Sequence, residues 1–283
     1  MKIQKNLPIA IGIKKISFLA LICLIAYACG TDKKETPENT QPVAKTVPAI
    51  SYSIVKTYPH DTTAFTEGLL FNEGQLFEST GDVDYLPQTK SALGIVNLET
   101  GKLDLKVEID KTAHFGEGMV ILNGKIYQVT LDSHVGFVYD AKTYKKIDQF
   151  NYQNEGWGLT TDGKSIIMSN GTFNLTYINP LTYAIEKTVA VTEQGYGLDH
   201  LNELEYIKGF IYANVWMTNY VVKINPETGE VVGKLDLDDL NVKSREKQPR
   251  SLEMNGIAYD AISDKILVTG KLWPNIYEIS FPH

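Results

Sequence analysis

The chain contains very little cysteine, and this scarcity limits the chemistry available to its body. Only Cys23 and Cys29 occur among the 283 residues. Cys23 lies within an apolar leader, so the mature chain keeps one cysteine at most and cannot form an internal disulfide. A thiolate metal cluster and a cysteine nucleophile are therefore excluded from the body of the protein.

An excess of basic residues is also absent, as are the common metal and phosphate motifs. The formal net charge is −7, with no basic stripe that could replace phosphate counterions, so nucleic-acid binding is not expected. The five histidines do not follow a metal-binding spacing. Neither a Gly-x-Ser-x-Gly elbow nor a phosphate loop is present. We therefore predict a protein that works without a metal ion or cofactor.

The first 28 residues have the features of a secretory signal peptide. A leader with four lysines precedes an apolar run, residues 16–28, that is too short to span a bilayer comfortably and ends in small residues. Residues 28–30 (Ala-Cys-Gly) resemble the lipobox of bacterial lipoproteins, in which the cysteine is lipidated. Ala26 and Tyr27 depart from that pattern, and a plain signal peptide with an incidental cysteine is the alternative. The lipobox predicts an exported lipoprotein, anchored through Cys29 on the periplasmic or cell-surface side of a membrane.

Composition divides the rest of the chain into a linker and a domain. Residues 29–50 are rich in Lys, Glu, Thr, Pro and Asn, so this segment cannot bury a core and is predicted to be a disordered tether. Residues 51–283 are long enough for one well-cored domain. Sixteen tyrosines and few long helical patterns favour a single all-β unit.

A short run containing a carboxylate or amide beside glycines or small apolar residues occurs five times in the body. The runs occupy residues 65–69, 115–119, 155–159, 201–205 and 254–257. Their polar members are 50, 38, 48 and 52 residues apart, within the period range of propellers and solenoids. If equivalent strands surround one axis, these polar residues meet at one place, which makes them a candidate site.

Each run is followed by turns and β-rich segments that predict a four-stranded blade. Asn-Gly and Asp-Gly pairs between apolar residues, as at 123–124 and 162–163, are typical of hairpin turns. Five such units indicate an all-β fold, a five-bladed β-propeller. The fifth unit has only three strands, so we predict that the N-terminal strand, residues 52–57, closes the last blade. A solenoid is the alternative, and residues 235–251 interrupt the pattern as a short helix or insertion.

The same runs resemble the signature of the plant and bacterial type of glutaminyl cyclase, the glutamine cyclotransferase family. The matching stretches keep their order along the body and occupy residues 60–61, 65–69, 78–81, 115–118, 124–128, 155–160, 201–205, 212–216, 255–260 and 269–274. The resemblance implies a five-bladed propeller and an acyltransferase that converts an N-terminal glutamine into 5-oxoproline with release of ammonia. It also implies a metal-independent enzyme whose partners are peptides or proteins with N-terminal glutamine. We expect the protein to be a monomer.

The resemblance assigns roles to individual side chains. It implies that Glu117 is a proton shuttle, acting first as a base toward the α-amine and then as an acid toward the departing ammonia. Lys271 is implied to supply fixed positive charge, and Asn202 to hold the substrate amide. Four residues match the aromatic positions that wall the family's pocket: Phe65, Phe115, Trp157 and Trp216. Each of these side chains has a structural alternative, as a blade-surface, turn-capping or core residue.

Two positions depart from the family pattern. Glu67 stands where the family usually has glutamine, and Leu131 stands where a tryptophan is usual. Glu67 adds a second ionisable group to the substrate-binding set near Glu117, so either the two carboxyls share a proton or Lys271 compensates the extra charge. The main alternative function is a non-catalytic propeller lipoprotein that binds a peptide or small ligand. A propeller lactonase or other hydrolase is a further alternative.

Overall fold

The computed structural model describes residues 46–283, which form a five-bladed β-propeller with one short helix. This architecture confirms the fold predicted from the repeats. The predicted signal peptide, Cys29 and most of the predicted tether lie outside the described residues. Within residues 46–283, no helix combines the length and hydrophobicity needed to cross a membrane.

Five four-stranded antiparallel sheets make up the blades. The chain begins with β1 (Ser53–Pro59). The first blade contains β2 (Thr66–Asn72), β3 (Gln75–Thr80), β4 (Ala92–Val96) and β5 (Leu103–Glu108). The second contains β6 (Gly116–Leu122), β7 (Lys125–Thr130), β8 (Val135–Asp140) and β9 (Lys146–Asn151). The third contains β10 (Leu159–Thr161), β11 (Ile166–Met168), β12 (Asn174–Ile178) and β13 (Ile185–Ala190).

A small hairpin separates the third and fourth blades and is formed by β14 (Thr192–Glu193) and β15 (Tyr196–Gly197). The fourth blade contains β16 (Leu201–Ile207), β17 (Phe210–Val215), β18 (Tyr220–Ile224) and β19 (Val231–Asp236). The helix α1 (Asp238–Lys247) follows. The fifth blade contains β20 (Met254–Asp260), β21 (Lys265–Gly270), β22 (Asn275–Ser280) and β1.

The innermost strands β2, β6, β10, β16 and β20 form a ring in which each strand contacts the next. A cluster of buried hydrophobic side chains lies between each pair of neighbouring blades. Glycines permit the close approach at the axis: a Cβ on Gly118 would lie 2.5 Å from the carbonyl oxygen of Trp157, and one on Gly158 would lie 2.2 Å from that of Asn202. This crowding brings the polar residues of successive runs close together.

The N-terminal strand closes the last blade. β1 pairs antiparallel with β22, which is the pairing that the three-stranded fifth repeat predicts. Just upstream, the end of the predicted tether lies against the fourth blade. The backbone N–H of Ile50 donates to the carbonyl oxygen of Lys234 at 2.8 Å, and the N–H of Lys234 donates to the carbonyl oxygen of Pro48 at 3.0 Å. The described domain therefore extends upstream of residue 51, the boundary expected from composition.

The helix α1 joins β19 to β20, within the segment predicted to hold a short helix or insertion. Only Leu240 and Ser244 of this helix are buried, so most of its charged surface is solvated. Acidic residues occupy its first turn and basic residues its last turn, which matches the direction of the helix dipole.

A buried carboxyl group on one inner strand accepts hydrogen bonds from the inner strands of two other blades. Glu203 of β16 accepts hydrogen bonds from the backbone N–H of Leu69 in the first blade, at 3.1 Å, and of Ile257 in the fifth, at 2.8 Å. Burial raises the pKa of Glu203 well above its usual range, and the nearby Glu205 adds to this effect. The strand starts that surround the axis are therefore held in place by side-chain as well as by ladder hydrogen bonds.

Candidate active site

β-Bulges interrupt the starts of four of the innermost strands. The pairing with the neighbouring strand shifts at residues 66–68 in β2, 116–119 in β6, 201–204 in β16 and 254–257 in β20. Bulges turn side chains out of the regular alternation of a strand and are common next to functional sites. Each bulge lies in one of the repeated runs, and together they carry Glu67, Glu117, Asn202 and Asn255.

A cavity of about 320 Å³ lies where these runs meet. This volume is near the lower end of the range of about 300–1,000 Å³ that is usual for small-molecule sites, so the cavity suits a single residue. Its lining is formed by Phe65, Glu67, Val83, Phe115, Glu117, Leu131, Glu155, Trp157, Asn202, Trp216 and Lys271. The structure therefore brings together every catalytic and substrate-binding residue predicted from the sequence. Grooves of about 460 and 500 Å³ lie elsewhere, but neither places two carboxylates beside a lysine.

Glu67 and Lys271 form a buried ion pair in this cavity. Lys271 Nζ lies 2.8 Å from Glu67 Oε1, and the two side chains are 8% and 2% exposed. The other carboxylate oxygen of Glu67 accepts a hydrogen bond from Asn255 Nδ2 at 2.8 Å. Burial raises the pKa of Glu67 to about 6, although Lys271 and Asn255 favour its ionised form. Glu67, the departure from the family pattern, is thus compensated by a cation and an amide.

Glu117 lies beside this pair and is also buried. Burial, and after it the charge of Glu67, raises the pKa of Glu117 well above its usual range, while Lys271 opposes the shift. Because the charges of two neighbouring carboxylates repel, the pair favours a state in which one of them is protonated. Of the two accommodations expected for the extra carboxyl, the ion pair with Lys271 is present in the structure, and the raised pKa of Glu117 is in the direction expected if the two carboxyls share a proton.

Neighbouring blades hold the backbone of Glu117 in place. Its carbonyl oxygen accepts a hydrogen bond from Ser79 Oγ of the first blade, and Ser79 in turn accepts one from Gln128 Nε2 at 2.9 Å. The N–H of the next residue, Gly118, donates to the carbonyl oxygen of Trp157 at 2.7 Å. Groups held by such contacts keep their geometry during a reaction, which is the requirement for a positioned acid or base.

Lys271 remains a cation despite its burial. Burial lowers the pKa of Lys271, but Glu67 and Glu117 together outweigh this effect and the pKa is raised. Its Nζ lies 4.5 Å from the centroid of the Phe65 ring, a distance at which the ring face attracts a cation. One N–H of the ammonium group faces Glu67 and another faces the ring, which leaves a third for a substrate oxygen.

Two pairs of aromatic rings form the walls of the cavity. The ring centroids of Phe65 and Phe115 are 6.1 Å apart at an interplanar angle of 87°, and those of Trp157 and Trp216 are 5.5 Å apart at 84°. Edge-to-face packing of this kind is the favoured arrangement of aromatic pairs. Such walls exclude water and strengthen the polar contacts between them.

Asn202 has a free acceptor inside the site. The residue is 3% exposed, and its Oδ1 has no hydrogen-bond partner within the described part of the chain. Its backbone is fixed, because its carbonyl oxygen accepts a hydrogen bond from Ser169 Oγ at 2.6 Å. A buried amide oxygen without a partner is costly, so this atom is suited to accept a hydrogen bond from a bound molecule.

Three residues of the cavity were not predicted as site residues: Glu155, Val83 and Leu131, the last of which was noted only as a departure from the family pattern. Glu155 Oε2 accepts a hydrogen bond from Trp157 Nε1 at 2.8 Å, so this carboxylate orients one wall and adds negative charge at the rim. Its place in the third run, two residues before Trp157, was the signal available in the sequence. Val83 lies in the loop between β3 and β4 and carried no such signal.

The arrangement is suited to moving a proton within a small, largely dry space. It combines two buried carboxyl groups, a lysine cation and an amide oxygen that has no partner among the described residues. Within residues 46–283, no group of three or more His, Cys, Asp and Glu side chains has the arrangement of a metal site.

Known proteins share both the sequence pattern and the fold. The family described as glutamine cyclotransferase matches residues 21–281. A glutaminyl-peptide cyclotransferase from Arabidopsis thaliana is 38% identical over 229 residues, which span 80% of this chain and 70% of the relative. The crystal structure of Myxococcus xanthus glutaminyl cyclase is similar with a TM-score of 0.75 and 32% identity, covering 83% of this chain and 98% of that one.

Proposed function

The chain belongs to the glutamine cyclotransferase family, and on this premise we propose that it is a glutaminyl-peptide cyclotransferase with Glu117 as its proton shuttle. The observation that carries the proposal is the buried carboxyl of Glu117, with its raised pKa, beside the Glu67–Lys271 ion pair in a cavity of about 320 Å³. The substrate is a peptide or protein whose first residue is glutamine.

In the proposed reaction, the α-amine of the N-terminal glutamine attacks the carbonyl carbon of its own side-chain amide. A C–N bond forms, and negative charge develops on the amide oxygen. Glu117 accepts a proton from the attacking nitrogen and passes one to the amide nitrogen, which leaves as ammonia when its C–N bond breaks. The five-membered ring of 5-oxoproline remains. Glu117 ends in its starting protonation state, so no co-reactant is consumed.

The raised pKa of Glu117 suits this role. A free N-terminal amine has a pKa of about 7.7–8.0, far above that of an ordinary glutamate. Burial and the charge of Glu67 move the pKa of Glu117 toward that of the amine. This shift reduces the free-energy difference for proton transfer between the two groups, which favours general acid–base catalysis.

Lys271 and Asn202 act on the substrate amide in this proposal. The third N–H of the Lys271 ammonium group donates to the amide oxygen as negative charge develops there. Asn202 Oδ1, which has no partner among the described residues, accepts a hydrogen bond from an N–H of the substrate. The aromatic walls hold the aliphatic part of the glutamine side chain and keep water out.

Incubation of the purified protein with a peptide that begins with glutamine tests the proposed function. We expect release of one ammonia per peptide and a loss of 17 Da from the peptide, roughly the mass of the ammonia that the reaction removes. A peptide that begins with asparagine is the matched control, because its side chain is one carbon shorter. Cyclisation that a chelator abolishes would contradict the metal-free mechanism. Tight peptide binding without ammonia release would favour a non-catalytic binding propeller.

Replacing Glu67 with glutamine is expected to move the acid limb of the kcat/KM profile to lower pH. Glu117 must lose its proton to act as a base, so activity rises with pH through the pKa of the carboxyl pair. The charge of Glu67 raises the pKa of Glu117, and in Glu67→Gln that contribution is lost while Lys271 is left to interact with Glu117. Activity should persist at neutral pH. Rates measured between pH 4 and 9 check this, and an unchanged profile would argue against coupling of the two carboxyls.

For the residues upstream of the described range, we propose lipidation of Cys29 and export to the periplasmic or cell-surface side of a membrane, where the domain acts as a monomer. The basic leader, the apolar run and the Ala-Cys-Gly sequence at residues 28–30 support this proposal. In bacterial cells fed an alkyne-labelled fatty acid, the wild type should carry the label and sediment with membranes. Cys29→Ser should do neither, and label retained by this variant would contradict the assignment.

A further inference from the structure

A second buried ion pair lies behind the cavity and takes no part in the proposed proton transfer. His60 Nε2 lies 2.9 Å from Glu78 Oε1, and the two side chains are 0% and 1% exposed. The same oxygen of Glu78 accepts a hydrogen bond from Thr66 Oγ1 at 2.7 Å. Thr66 immediately precedes Glu67 in the chain, so Glu78 links His60 to the strand start that carries one member of the catalytic ion pair.

The other ring nitrogen of His60 reaches the segment that carries Lys271. His60 Nδ1 lies 2.9 Å from the carbonyl oxygen of Trp273. A carbonyl oxygen can only accept, so Nδ1 carries a hydrogen and donates it. Because the imidazole ring is rigid, one side chain fixes the distance between Glu78 on one side and the Trp273 carbonyl on the other.

The turn after Lys271 is backbone-strained and needs such support. Leu272 has a φ of +60°, in the left-handed region that is unfavourable for residues other than glycine. Strained conformations persist when surrounding contacts hold them, and they are common at functional sites. Here the N–H of Leu272 donates to the carbonyl oxygen of Ala64 at 2.8 Å, and the buried Trp273 donates from Nε1 to the carbonyl oxygen of Leu252 at 3.0 Å.

Besides the backbone hydrogen bond from Leu272 to Ala64, two side-chain connections join the backbone near Glu67 to the backbone near Lys271. The first is the ion pair itself, at 2.8 Å. The second runs from Thr66 through Glu78 and His60 to the Trp273 carbonyl. The first connection must adjust when the substrate amide arrives at the ammonium group, whereas the second is buried and does not line the cavity.

We propose that the His60–Glu78 pair is a positioning element for the cyclisation: it holds the strained Lys271 turn against the strand start of Glu67 and so fixes where the ammonium group meets the substrate. This inference rests on the proposed function. His60 acts through Lys271 and does not touch the substrate, so its loss affects the rate of the bound complex more than the affinity for peptide. A displacement of about 1 Å at a catalytic group can cost roughly 10²-fold in rate.

Two amide variants of His60 distinguish its contact with the Trp273 carbonyl from its contact with Glu78. In His60→Asn the side-chain N–H₂ occupies the place of Nδ1 and keeps the donor toward Trp273. In His60→Gln it occupies the place of Nε2 and keeps only the donor toward Glu78. Both variants replace the ionisable imidazole with a neutral amide, so the change in charge is matched between them. We expect His60→Gln to lower kcat at least about tenfold with KM within about twofold, and His60→Asn to restore kcat to within about threefold of wild type.

Stability controls accompany the kinetic measurements. Urea unfolding of both variants identifies conditions under which they are folded. Tyr127→Phe is unfolded in parallel as a control, because it loses only a buried hydrogen bond to the Pro180 carbonyl. Equal kcat losses in the two His60 variants, or no loss in either, would overturn the proposal. If neither variant folds, Thr66→Val replaces them, because it removes only the hydroxyl that binds Glu78. We expect Thr66→Val to lower kcat severalfold without raising KM. An unchanged kcat would overturn the proposal.

Crystal structures of the variants test the positioning role independently of the proposed function. We expect the Lys271–Glu67 contact to be intact in His60→Asn and broken in His60→Gln. If the wild type releases no ammonia but the contact behaves as expected, the proposed function fails and the positioning geometry stands. If the wild type is active and the contact is intact in both variants, the positioning role fails and the proposed function stands.

Discussion

Replacing Glu117 with glutamine is expected to lower kcat by about 10²–10⁴, the usual contribution of a positioned general acid or base. The amide has nearly the same shape as the carboxyl but cannot accept a proton from the α-amine or give one to the leaving nitrogen. KM should change little, because the cavity walls and Asn202 are unaltered. Steady-state ammonia release over a range of peptide concentrations measures both constants.

Glu205→Gln is the matched control for this substitution. Burial raises the pKa of Glu205 to about 8, so this group resembles Glu117 in being a carboxyl with a raised pKa, but it does not line the cavity. Its kcat should stay near that of the wild type. If Glu117→Gln kept more than a tenth of the wild-type rate at every pH, Glu117 would not be the shuttle.

Replacing Lys271 with methionine is expected to lower kcat by about 10²–10³, as the loss of a preorganised donor to a developing oxyanion does in other enzymes. Methionine is apolar and of similar length, so the packing against Phe65 is largely kept. Lys271 lowers the pKa of both Glu67 and Glu117. Its removal should therefore move the acid limb of the residual activity to higher pH, opposite in direction to the shift expected for Glu67→Gln.

A double variant separates catalysis from stability at this position. Removing one partner of a buried ion pair commonly costs about 3–5 kcal/mol because the other charge is left without compensation. In Glu67→Gln with Lys271→Met no charge is left unpaired between the two positions, so the unfolding free energy should recover. The rate should remain low, and recovery of kcat to within tenfold of wild type would show that Lys271 acts on the fold and not on the reaction.

The repeated runs predicted much of the fold because they lie at equivalent positions in every blade. A carboxylate or amide beside small residues is favourable at the start of an inner strand, where backbones crowd and a polar side chain can still reach the open end of the axis. Gly118 and Gly158 show the reason: a Cβ at either place would collide with the carbonyl of a neighbouring strand. Periodicity and turn chemistry were thus sufficient to predict five blades.

Other features depend on contacts between residues far apart in the chain. Residues 48–50 have the composition of a tether, yet their backbone pairs with Lys234 of β19. Backbone hydrogen bonds to an open strand edge do not require apolar side chains, so composition alone could not predict this packing. The sequence marked Glu155 as part of the third run. It could not show that Glu155 contacts Trp157, because that contact depends on the directions of both side chains.

The sequence by itself determined which residues could reach the site, through the repeat spacing and the family resemblance, and it identified Glu67 as one of two residues that depart from the family pattern. Only the tertiary structure decided how that extra carboxyl is accommodated, by pairing Glu67 with Lys271 and with the amide of Asn255. The physical reason is that charge state depends on burial and on neighbours a few ångströms away. Those neighbours come from different blades, and no local pattern in the chain specifies their distances.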